Sequence, residues 1–169
     1  MRRLLSSLAI TSCLLTSFTL PNTSLAGGLT LFSGVKRGYQ LPFHLDFSGR
    51  RGAWDRYRLR IPSKKMKFAA ARFIVAYPKN YKGSFDPKKI AVKVGGKKVK
   101  LSKKKWDKDN RIIEIYPEEP VPAGSRVELV LSNVRNPNSS GMFYFQCLMR
   151  SPGDVPLSRY VGTWILGVD

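Results

Sequence analysis

Apolar and polar residues alternate along much of this chain. From Arg56 onward, Tyr57, Leu59 and Ile61 fall on one face, and Arg56, Arg58 and Arg60 on the other. That period of two marks a half-buried strand. Pro62 ends it, having no N–H to give a ladder. Phe68 to Tyr77 is the next apolar stretch, with strand formers at Phe73-Ile74-Val75. Lys89 to Val94 puts Ile90, Val92 and Val94 on one side, and after Gly95-Gly96, Lys97 to Leu101 does the same with Val99 and Leu101. Two short strands around a Gly-Gly pair predict a tight hairpin, since glycine supplies the positive φ its turn requires. Further strands are predicted at Arg111 to Tyr116, around Val127, Leu129 and Leu131 after the Pro122-Ala123-Gly124 turn, at Met142 to Met149, and at Tyr160 to Val168.

Seven or eight short strands separated by Gly, Pro, Asn and Asp turns, with no sustained helical period, predict an all-β fold. The expectation is an antiparallel immunoglobulin-like β-sandwich. With no repeat and no linker, residues 27–169 are read as a single domain.

The first residues follow a different pattern. Arg2 and Arg3 precede an uncharged apolar run, Leu4 to Leu20, which Pro21 and Asn22 break. Ser24-Leu25-Ala26 then places small residues just before Gly27. This is the layout of a secretory signal peptide, residues 1–26, with cleavage between Ala26 and Gly27. An uncleaved anchor is the plainest alternative, but a span needs roughly 20 predominantly apolar residues. Ile10-Thr11-Ser12-Cys13 loosely resembles a lipobox. Cutting there to lipidate Cys13 would leave a second apolar run on the exported chain. The arginine pair matches a twin-arginine signal poorly. No later stretch is long and apolar enough to span a bilayer, so the exported domain is expected to be soluble or peripheral.

Composition sharpens this picture. The 169 residues carry 30 Lys+Arg and 11 Asp+Glu, a net charge of +19, while hydrophobic residues make up an ordinary 43%. The charge is therefore carried by a chain able to fold. Two cysteines and one histidine exclude a disulfide scaffold and a Cys/His zinc site. Once Cys13 leaves with the signal, Cys147 has no partner for an internal disulfide.

Several strings resemble a family of secreted cyanobacterial domains of uncharacterised function. They are Pro78-Lys79-Asn80-Tyr81-Lys82-Gly83 before Phe85-Asp86-Pro87, and Pro120-Val121-Pro122-Ala123-Gly124-Ser125 before Leu131-Ser132-Asn133-Val134-Arg135-Asn136-Pro137. Gly141 with Phe143-Tyr144-Phe145, and Tyr160-Val161-Gly162-Thr163-Trp164, fit the same pattern. Pro120 to Pro137 is also similar to bacterial surface-layer immunoglobulin-like domains. The resemblance implies export, a cyanobacterial host and an unidentified partner, and it carries no catalytic residue.

Catalytic chemistry finds little footing. His44 has Asp46 two residues on, but a lone imidazole beside a turn is most simply a surface residue. A Gly-x-Ser-x-Gly signature is absent. Glu118 and Glu119 are adjacent in a Pro-rich turn and point apart, which does not suit paired carboxylates. Asp107 and Asp109 balance local lysines, and no further acids follow at calcium-loop spacing. Met66, Met142 and Met149 are scattered, and Cys147 in an apolar strand is expected to be buried and inert. No catalytic residue, metal or cofactor is assigned, and the chain is read as a non-enzyme.

The basic residues, by contrast, are organised. Arg56, Arg58 and Arg60 line one strand face about 6.6–6.8 Å apart, a spacing at which guanidinium forks can grip successive anions. Arg50, Arg51, Lys64, Lys65 and Lys67 flank them. Between residues 88 and 108 lie ten lysines and one acid, Asp107. The anion-binding set is expected to be Arg56, Arg58, Arg60, Lys93, Lys97, Lys98, Lys100, Lys103, Lys104, Lys105, Trp106 and Lys108, with Lys93 and Lys100 on the outward face. An exposed Trp106 can stack on a sugar or enter a membrane interface; folded back, it joins the core. Lysines also guard sheet edges against aggregation, but ten exceed that need.

The expected function is binding of an anionic surface or polymer: lipopolysaccharide, acidic polysaccharide, anionic lipid, or an acidic protein. Export argues against nucleic acid. The periplasm or cell envelope is the expected location, with the thylakoid lumen as an alternative. A structural or assembly module that binds a protein is the second expectation, and a glycan-active enzyme the third.

Overall fold

The structure, a computed structural model, describes residues 34–153 and 157–169. The expected signal peptide, with Cys13 and Ala26, and Gly27 after it lie outside the described residues. Ten strands run β1 Phe43–Leu45, β2 Trp54–Ile61, β3 Arg72–Ala76, β4 Ile90–Val94, β5 Lys97–Val99, β6 Leu101–Asp107, β7 Ile112–Pro117, β8 Val127–Arg135, β9 Gly141–Arg150 and β10 Arg159–Val168. The helical elements among the described residues are three short 3-10 turns. None is long and apolar enough to cross a membrane.

The strands form two antiparallel five-stranded sheets, ordered β1-β2-β8-β4-β5 and β10-β9-β3-β7-β6. The orders β1-β2-β8-β4 and β10-β9-β3 reproduce the two layers of an immunoglobulin-like sandwich, with β5 and the β6–β7 hairpin extending them. The alternation read in the sequence sets which faces meet. Tyr57, Leu59 and Ile61 of β2 and Val127, Leu129 and Leu131 of β8 are buried against Phe73 and Val75 of β3 and Phe143, Phe145, Cys147 and Met149 of β9.

Two features depart from the expected strands. A short β1 precedes β2, and Leu101–Asp107 forms a strand that the alternation did not predict. Leu101, expected to close the Gly-Gly hairpin, instead opens β6. The hairpin stops at Val99, and Lys100 carries the chain across to the other sheet. Lysine is a poor strand former, so Ser102-Lys103-Lys104-Lys105 gave no strand signal. Pairing to the strongly β-forming β7, with Lys104 opposite Ile115 and Trp106 opposite Ile113, imposes the conformation.

Buried polar groups fasten the ends. The Tyr57 hydroxyl donates to Asn136 Oδ1 at 2.5 Å and meets the Tyr81 hydroxyl at 3.0 Å, while Asn136 Nδ2 donates to the Arg50 carbonyl at 2.8 Å. The buried Asp55 carboxylate accepts from the backbone N–H groups of Phe47, Gly49 and Arg56 and so holds the turn before β2. Burial pushes the Tyr57 and Tyr81 phenols well above their ordinary range, keeping them neutral hydrogen-bonding groups.

Candidate anion-binding edge

The last strand of each sheet, β5 in one and β6 in the other, is an edge, and a single residue joins them. The lysine-rich segment therefore lines two adjoining sheet edges. Lys97, Lys98, Lys100 and Lys103 are exposed there. Lys88, Lys98, Lys100 and Lys104, with Glu118, rim a cleft of about 440 Å3 that Ile90, Val99 and Leu101 also line.

Within this edge the lysines differ. Those of β6 alternate: Lys103 and Lys105 lie opposite Tyr116 and Glu114 on the outer face, whereas Lys104 lies opposite buried Ile115. Lys104 cannot enter the core, so its ammonium reaches over the edge and donates to the Lys88 carbonyl at 3.2 Å. Lys105 is 2.9 Å from Asp107. That hydrogen bond, with the Asn110 N–H, holds the Asp107 carboxyl down at about 2. Lys103 stands over the Tyr116 ring at 5.8 Å.

Trp106 is half-buried. Its indole N–H donates to the Tyr77 hydroxyl at 2.8 Å, its ring meets Phe85 edge-on at 5.4 Å, and Lys108 sits over it at 4.5 Å. Of the two orientations open to it, Trp106 takes the core-joining one, because Phe85 and Tyr77 offer apolar contact and a hydrogen-bond partner together.

The arginine face needs correction. Arg56, Arg58 and Arg60 do share the outward side of β2, but their guanidinium groups are not free forks. Arg58 grips Asp46 at 2.7 and 2.9 Å, Arg56 reaches Asp46 at 3.3 Å and Ser132 at 3.1 Å, and Arg60 donates to Glu128 at 3.1 Å. Lys93 is outward as expected, but sits 3.6 Å from the same Glu128. The Arg58 hydrogen bond lowers the Asp46 pKa against the opposing pull of burial. Burial pushes Glu128 up, and Arg60, Lys93 and Arg58 outweigh it. These partners were hidden in the sequence because Asp46, on the turn after β1, and Glu128, on β8, neighbour β2 only in three dimensions.

The other candidates are placed plainly. His44 is exposed, 3.7 Å from Asp46, which the arginines already occupy. Cys147 is fully buried, and burial pushes its thiol far up, away from reactivity. Among the described residues, no three His, Cys, Asp or Glu side chains gather as a metal site.

The sandwich is similar to a bacterial hydrophobin, BslA, at 11% identity and a TM-score of 0.48, over 77% of this chain and 97% of that one. It is similar to the collagen-binding domain of a Staphylococcus aureus adhesin at 11% identity and 0.43, over 80% and 99%. An uncharacterised Nocardia farcinica protein with an immunoglobulin-like fold gives 12% and 0.39, over 76% and 97%. No curated protein matches the sequence. A family pattern does, along residues 29–168, and the chain belongs to that family, the protein of unknown function DUF2808.

Proposed function

We propose that this domain is an exported, non-enzymatic module that binds an anionic envelope surface or polymer through the adjoining edges of β5 and β6. The observation that carries the reading is the concentration of exposed lysines, Lys97, Lys98, Lys100 and Lys103, on two edges joined by one residue. Such density costs stability through like-charge repulsion, and an anion brought to it relieves that cost. Lipopolysaccharide phosphates, acidic polysaccharide and anionic lipid all offer the needed charge. The arginine face, already neutralised in part by Asp46 and Glu128, is secondary. The leader sequence supports an envelope location.

The test is binding of the 27–169 domain to anionic vesicles, lipopolysaccharide and acidic polysaccharide at two salt concentrations. Binding is expected at low salt and falls steeply as salt rises. The combined changes Lys97→Gln, Lys98→Gln, Lys100→Gln and Lys103→Gln weaken it at least tenfold more than the same change at Lys36, Lys64, Lys79 and Arg126. Equal losses from the two sets, or no binding at low salt, overturn the reading.

A second reading rests on a different observation. Met142 and Tyr144 of β9 are exposed on the outer face of their sheet, beside Ile165 of β10. That face suits a protein partner, and such binding would survive moderate salt.

A further inference from the structure

Away from the lysine edge, at the β10 side of the sandwich, three exposed aromatic rings and three cations share one cleft. Its volume is about 480 Å3, and Tyr39, Lys65, Lys67, Phe68, Arg159 and Tyr160 define it, with Met149 and Val161 behind. Tyr39, Phe68 and Tyr160 are each exposed by nearly half, at 46%, 45% and 45%. Single exposed rings are ordinary on a protein surface, but a gathered set marks a binding patch, and here three are gathered.

The cleft is built by backbone constraints. The segment before β1 runs beside β10, with Gln40 bridged in parallel to Thr163 and the Leu41 N–H donating to the Thr163 carbonyl at 2.9 Å. Gly162 permits this approach, because a Cβ there would meet the Tyr39 carbonyl oxygen at 2.5 Å. Tyr39 is thereby laid beside Tyr160, with ring centroids 5.4 Å apart and planes tilted by 36°. The Tyr160 hydroxyl is tied to Thr163 Oγ1 at 2.6 Å, which fixes its ring.

Two of the cations stand over these rings. Lys65 hydrogen-bonds the Gly38 carbonyl and stands over the Tyr39 ring at 5.3 Å, which leaves two of its three donors for a ligand. Arg159 lies over the Phe68 ring at 4.2 Å, a stacking that leaves the N–H fork at its rim able to meet a carboxylate or sulfate side-on. Lys67 adds a third positive charge, and the described lining residues include no acid.

We infer that this cleft is a binding subsite for an anionic sugar ring, such as a uronic acid or a sulfated pyranose within a polysaccharide. A pyranose presents a C–H-rich face that packs on an aromatic ring, and hydroxyls and an acidic substituent at its rim. Tyr160 and the ring surface that Lys65 and Arg159 leave open on Tyr39 and Phe68 suit the first part, and the cations over those two rings suit the second. A free phosphate would use the cations and leave the rings idle, and a flat bilayer would not fill a cleft. The inference does not require the lysine edge, which is remote in sequence and sits on the opposite strands of both sheets.

The experiment titrates the 27–169 domain with a galacturonic acid trimer, a sulfated galactose trimer and a neutral galactose trimer, following backbone amide shifts by NMR. Shifts are expected at residues 38–41, 65–68 and 159–161 with one or both acidic trimers, which also tells carboxylate from sulfate recognition. The neutral trimer binds at least tenfold more weakly. Tyr39→Ala and Phe68→Ala each weaken acidic-trimer binding at least tenfold and leave vesicle binding unchanged. The four-lysine variant keeps trimer binding, so failure here and failure at the lysine edge are separately visible. Arg159→Gln guards against an aromatic variant that fails to fold, and it too weakens the acidic trimers. Shifts confined to residues 97–108, equal affinity for the neutral trimer, or undiminished binding by folded Tyr39→Ala and Phe68→Ala overturn the inference.

Discussion

The ammonium of Lys104 donates to the carbonyl oxygen of Lys88, 3.2 Å away, and so ties the edge strand of one sheet to the turn that opens β4 in the other. Within a run of lysines that look alike in sequence, this one is a structural tie.

Lys104→Ala is therefore expected to cost about 0.5–1.5 kcal/mol, the usual worth of such a hydrogen bond. Lys97→Ala and Lys98→Ala stay within about 0.5 kcal/mol of the parent. Urea unfolding of the three variants measures this, and equal stabilities would remove the tie from the account.

Tyr57→Phe leaves Asn136 Oδ1 buried without its hydroxyl donor. The expected loss is about 1–3 kcal/mol. Tyr116→Phe, at a half-buried phenol whose hydroxyl accepts from Arg72, costs less. Thermal unfolding of the pair, read by circular dichroism, compares them.

Asp46 has a folded pKa below its unfolded value because Arg58 holds its charged form. Its stabilisation is thus present above the unfolded value near 3.8 and is lost as pH falls through the lower folded value. Asp46→Asn should cost about 1 kcal/mol at pH 7. The gap between variant and parent should close with acidification below about pH 4. A gap that persists unchanged into acid would mean that the carboxylate's charge is not what matters.

Gly162→Ala forces a Cβ against the Tyr39 carbonyl and Leu41. A loss of about 1–3 kcal/mol is expected. Amide hydrogen exchange should speed at Leu41, whose N–H bonds Thr163, and stay slow at the β3–β9 pairs.

The legible parts of this fold are those written in local alternation. Tyr57-Arg58-Leu59-Arg60-Ile61 and the Ile90 to Val94 run declare which side faces the core, and both do so in the folded chain. β6 was illegible because its strand character comes from pairing with β7, which the lysines themselves do not encode. The arginine row was legible as a face but not as a set of ion pairs, since Asp46 lies on the turn after β1 and Glu128 on β8. Tyr39, Phe68 and Tyr160 come from three distant segments, and only the parallel bridge at Gln40 brings two of them side by side.

Cys147 is the sole cysteine of residues 27–169, and it lies on β9 with no exposed surface. A thiol-reactive dye can reach it only when the two layers separate. The rate of its labelling therefore clocks whole-domain opening, so an engineered reporter is unnecessary. A ligand that binds the closed sandwich would slow that clock, whichever surface it occupies.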